Sequence, residues 1–108
     1  FRKIITIIKN RGATPICINQ IALFVKNSRG INNAFPYKNY FLNGHDLQLS
    51  LDLINNQIME ICSNEGGIIV NVDNSYFIES DFYDFVHHNP QGSKKLAKKI
   101  YHSIKDKL

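Results

Sequence analysis

The sequence predicts an α/β fold, with a parallel sheet flanked by helices. Three observations carry this. Apolar residues recur at helical spacing in three separate segments. Two short runs rich in β-branched residues lie between them. Helical and strand-like segments also alternate, the order that crossovers between parallel strands require.

Residues 1 to 11 read as the end of a helix, with Ile4, Ile5 and Ile8 on one face and Arg11-Gly12 as the stop. Residues 14 to 19, Thr-Pro-Ile-Cys-Ile-Asn, fit a buried parallel strand, Pro15 being tolerable near its start. Residues 20 to 44 have no clean period and predict a long loop. Its Phe24, Phe35, Tyr37, Tyr40 and Phe41 either line a substrate pocket or lid, or pin the loop to the body. Residues 45 to 64 predict a helix, because Leu47, Leu51, Ile54, Ile58 and Ile61 recur at steps of four and three. Asn64-Glu65-Gly66-Gly67 ends it, and Ile68 to Val72 forms a second buried strand. An irregular stretch follows from Asp73 to Asn89. The last helix starts near Pro90, with Leu96, Ile100, Ile104 and Leu108 on its apolar face. Two strands do not make a stable sheet core alone. Together with the abrupt opening on Phe1, this predicts that residues 1 to 108 are a piece of a longer protein whose missing strands lie upstream, although a processed chain would open the same way.

Composition narrows the classes. A chain of 108 residues with 44% hydrophobic and 20% charged residues is an ordinary globular balance, which argues against disorder. No apolar run reaches the roughly 18 residues of a membrane span. The net charge of +4 is mild and concentrates in Lys94, Lys95, Lys98, Lys99, Lys105 and Lys107. A solvated helix face accounts for that pattern, and binding to nucleic acid or an anionic surface is the alternative. Cys17 and Cys62 read by default as small buried apolar residues, with a disulfide left open. His45 and His102 read as exposed helix residues.

The stretch that carries chemistry is Asp84-Phe-Val-His87-His-Asn-Pro90-Gln-Gly92. It follows the second strand and leads into the last helix, where open α/β sheets bind ligands. Asn89 is placed to cap that helix and Pro90 to begin it. An Asp three residues before a His on one turn can accept the imidazole N–H and fix its tautomer. The other ring nitrogen is then left to deprotonate a nucleophile. Asp81, six residues from His87, is the rival carboxylate. A metal site from Asp84, His87 and His88 lacks a regularly spaced fourth ligand. His88 reads as a loop residue flanking the site.

This block resembles the last conserved block of the SGNH (GDSL) serine hydrolases, in which Asp-x-x-His is followed by Asn-Pro-x-Gly and an amphipathic helix. Upstream, Lys9 to Ile18 is similar to that family's helix–Gly–strand step before its variable loop. The resemblance implies a three-layer α/β/α flavodoxin-like fold, of which this chain holds the C-terminal portion. It further implies an ester hydrolase or acyl-transfer enzyme, with His87 as base and Asp84 as its orienter. No metal or organic cofactor is implied. Carbohydrate O-acyl groups, lipids and simple esters all qualify as substrate. Phe82, Tyr83 and Phe85 either wall the acyl site or only pack the loop. The family's Gly-Asp-Ser nucleophile block and its oxyanion blocks are absent from residues 1 to 108. The serine is therefore expected from a preceding part of the protein. Two rival readings are a non-catalytic α/β binding module and a basic interaction domain using the C-terminal Lys face.

Overall fold

A computed structural model of the chain describes residues 1–28, 31–34 and 43–107. Its elements are α1 (Arg2–Asn10), β1 (Ile16–Ile18), β2 (Val25–Ser28), β3 (Ile31–Ala34), α2 (Gly44–Asn64), β4 (Ile68–Val70) and α3 (Pro90–Ile104). Short 3₁₀ turns occupy Asn74–Tyr76 and Glu79–Asp81. Strands β1 and β4 pair in parallel, Ile16 opposite Ile68 and Ile18 opposite Val70, with α2 in the connection between them. The mixed α/β class expected from the alternation is present.

Local chemistry explains the boundaries. Gly12 ends α1 at φ 76°, a left-handed conformation that costs glycine little. At the start of α2, Asn43 Oδ1 accepts from the His45 and Asp46 amides, while Asp46 Oδ2 accepts from the Asn43 amide at 2.9 Å. At α3, Asn89 Oδ1 accepts from the Gly92 amide at 3.0 Å, with Pro90 as the first helical residue.

Strand residues alternate between two apolar clusters. Val70 joins Ile21, Val72, Phe77 and Phe82 under Leu96, Ile100 and Ile104 of α3. Cys17 joins Ile5 and Cys62, with Met59 and Ile69 beside them. Cys17 and Cys62 form a disulfide that ties β1 to α2, in place of two separately buried thiols.

Three expectations are corrected. The loop expected over residues 20 to 44 contains the antiparallel pair β2–β3, with Val25 opposite Ala34 and Ser28 opposite Ile31. In the sequence, Gly30 was the available turn signal; Arg29 and Gly30 lie outside the described residues. Four-residue strands are too short to register as a period. Of the aromatic residues in that stretch, Phe35, Tyr37, Tyr40 and Phe41 lie outside the described residues, as does Leu108 of the last helix. The apolar stripe of α2 is also rotated. Ile54 is 57% exposed, while the neighbouring Asn55 is buried. Finally, the strands are three residues long, shorter than the apolar runs that contain them.

Candidate active site

The strands lead into the site through two asparagines. Asn19 Oδ1 accepts from the Val72 amide at 2.7 Å and its Nδ2 donates to the Val72 carbonyl at 2.9 Å. Asn55 does the same for Gln20, accepting from its amide at 2.8 Å and donating to its carbonyl at 2.9 Å. Side-chain amides thus continue the pairing where the strands part, and satisfy main-chain groups that burial would otherwise leave unpaired. Beyond them lies a polar cavity of about 480 Å³, lined among others by Gln48, Asp52, Asn71 and Asp73. Sequence reasoning missed both asparagines. The one available signal was an amide at position 55 among apolar helix positions.

Past this end of the sheet, the chain returns on itself to carry Asp84 and His87. Phe82 and His88 form an isolated antiparallel bridge, and the Tyr83 amide donates to the His87 carbonyl at 2.8 Å. The Leu23 amide donates to the Phe85 carbonyl at 2.8 Å, so the loop leans on the segment that follows β1. Within this loop Asp84 Oδ1 accepts from the amides of Val86 and His87, both at 2.8 Å. That fixes the carboxylate plane and aims Oδ2 at His87 Nδ1, 2.6 Å away.

The electrostatics follow from these contacts. The Val86 amide, the His87 ring and the His87 amide together pull the Asp84 carboxyl down to about 2. An ionised Asp84 only accepts hydrogen bonds, so Nδ1 carries a proton, and it is Nε2 that holds the lone pair of the neutral imidazole. Nε2 has no partner among the described residues, and the His87 side chain is 74% exposed. The pair is thus an oriented imidazole with a free basic nitrogen.

The structure separates the other candidates from this pair. Asp81 is fully buried, and its Oδ2 accepts from Lys95 Nζ at 2.7 Å and from the Ile78 amide at 2.9 Å. Burial raises its carboxyl, but the Lys95 ammonium and the Ile78 amide outweigh that and hold it below the usual carboxylate range. His88 stacks on Phe82 with ring centres 4.4 Å apart and meets Phe77 at 4.8 Å. Burial pushes its imidazole below the ordinary value, with Asp81 opposing. Phe82 is buried in the same stack, Phe85 is half-buried, and Tyr83 is exposed. The hydroxyls of Ser50 and Ser103 donate into their own helices. No group of three His, Cys, Asp or Glu suited to a metal occurs among the described residues.

Of the C-terminal lysines, Lys94, Lys98, Lys105 and Lys107 are exposed, as a solvated face requires, while Lys95 and Lys99 are half-buried. Lys95 is spent on Asp81, and Lys99 Nζ sits 5.9 Å from the Tyr76 ring centre. No helix among the described residues is long and apolar enough to cross a membrane. No protein-family model, curated protein or solved structure matches this chain.

Proposed function

We propose that residues 1 to 108 supply the base and its orienter to a serine-dependent ester hydrolase or acyl-transfer enzyme of SGNH type. In this reading the fold is the C-terminal portion of a three-layer α/β/α domain. The observation that carries it is the Asp84–His87 contact: one carboxylate oxygen is held by two amides while the other binds Nδ1 at 2.6 Å. A serine from outside these residues attacks the ester carbonyl. His87 Nε2 takes the hydroxyl proton and returns it to the leaving alcohol. Asp84 holds the tautomer and stabilises the imidazolium. The engagement of Lys95 and Lys99 within the fold counts against a basic docking face.

The test uses the intact protein. His87→Ala should lower turnover of p-nitrophenyl acetate by about 10⁴-fold or more, and Asp84→Asn by about 10²- to 10⁴-fold. A fluorophosphonate should label one serine in the wild type and label it far more slowly in His87→Ala. Wild-type turnover in a folded His87→Ala variant would sink the reading.

A further inference from the structure

We infer that Asp81 and Lys95 are positioning residues for the Asp84–His87 pair, a partly buried ion pair that fastens the neck of the loop to α3 and sets where its tip stands. The catalytic consequence rests on the hydrolase reading. The positioning itself does not.

The loop between Phe82 and His88 is pinched at its neck. There the Phe82–His88 bridge and the Tyr83-to-His87 hydrogen bond are joined by the Asn89 amide, which donates to the Asp81 carbonyl at 2.9 Å. Asp84 and His87 stand on the excursion beyond that neck. The neck is fixed to α3 twice. Lys95 Nζ donates to Asp81 Oδ2 at 2.7 Å, and Asn89 links the Gly92 amide, which it accepts at 3.0 Å, to the Ser80 carbonyl, to which it donates at 2.7 Å.

Helix and neck also touch main chain to main chain. A Cβ at Gly92 would collide with the Asp81 carbonyl and come within 3.0 Å of His88 Cδ2. The neck therefore has little room to slide along the helix. Asp81 has no exposed side-chain surface, while Lys95 keeps 32% of its own, so water and salt reach the bond only from the lysine side. An ion pair with a buried member is a poor source of stability, because desolvation offsets its attraction. What it supplies is direction, and an oriented pair at the loop tip needs a directional support.

The test compares Lys95→Met with Lys95→Arg and with Lys98→Met in the intact protein. Lys98 is exposed on the same helix and serves as a control for lost charge. Two NMR observables read the pair without reference to activity: the titration midpoint of the Asp84 carboxyl and the resonance of the His87 Nδ1 proton. In the wild type and in Lys98→Met the midpoint should lie near about 2. In Lys95→Met it should climb toward the ordinary 3.8 and the Nδ1 proton signal should broaden, with Lys95→Arg restoring both. Ester turnover in Lys95→Met should fall about 10- to 100-fold in kcat with KM nearly unchanged.

A folded Lys95→Met protein whose Asp84 midpoint stays near the wild-type value overturns the inference. If Lys95→Met does not fold, Asp81→Asn decides the matter. It keeps the size of the side chain and an acceptor for the Ile78 amide, loses the ionic bond to Lys95, and should move the midpoint the same way; an unmoved midpoint overturns the inference. If the midpoint responds but the wild type hydrolyses no ester, the positioning stands and the hydrolase reading falls.

Discussion

The body built from α1, β1 and α2 is held together differently from the segment that carries Asp84 and His87. In the body, Ile5, Cys17 and Cys62 form a buried cluster with Met59 and Ile69, and a covalent bridge joins strand to helix. In the segment from Asp73 to α3, Phe77 and Phe82 pack under Leu96, Ile100 and Ile104, and to that apolar contact are added a buried carboxylate, a half-buried ammonium, a histidine ring and the Asn89 amide. Apolar contact is roughly indifferent to direction, so it can hold a body together without aiming anything. Hydrogen bonds and ion pairs are sharply directional. The segment that holds the Asp84–His87 pair adds the directional kind to its apolar contacts.

Three measurements on the intact protein break or sharpen this contrast. The largest effect is on the body. A bridge across 45 residues removes chain entropy from the unfolded state worth about 4 kcal/mol. Cys17→Ala with Cys62→Ala should lower unfolding stability by about that amount in a denaturant titration. The Asp84 midpoint should stay where it is. If that midpoint moved, the two regions would be one mechanical unit and the contrast would fail.

Asn55→Ala comes next. It strips both hydrogen-bond partners from the Gln20 main chain, at about 2 kcal/mol. Amide hydrogen exchange should quicken at Gln20 and much less at Val86 and His87. Equal loosening at both places would show that the strand ends and the loop open together.

The smallest effect is acid loosening of the loop. The Asp84 carboxyl is pulled below its ordinary 3.8, to about 2, so the folded state favours its ionised form. That contribution is complete above the ordinary value and is lost as the pH falls from 3.8 through about 2. Exchange of the Val86 and His87 amides should accelerate across that window, ahead of global unfolding. Constant protection there would mean that these amides do not depend on the Asp84 charge.

What could be read in the sequence was local. The three helices follow from periods and the two parallel strands from β-branched runs within single segments, and their order survives in the structure. The Asp84–His87 contact spans three residues of one turn, so its chemistry lies in the spacing itself. The supports were not legible because each joins distant positions. Cys17 meets Cys62 across 45 residues, and Asn19 meets Val72 across 53. Lys95, one of several lysines on its helix, meets Asp81 across 14 residues. Nothing in the run of lysines distinguishes the one that is spent internally. The hairpin β2–β3 was missed for another reason, since four residues are too few for alternation to stand out from a loop.

Gly92 has a consequence for how such proteins are read by mutation. Its α-carbon lies where helix and loop neck meet, and any side chain there would meet a carbonyl that has nowhere to go. It carries no titratable group. On the hydrolase proposal, a substitution survey scored on turnover would nonetheless place position 92 beside position 87. Intolerance at the two sites would arise from unlike causes, one from crowding and one from chemistry, and only an assay that measures shape apart from rate would tell them apart.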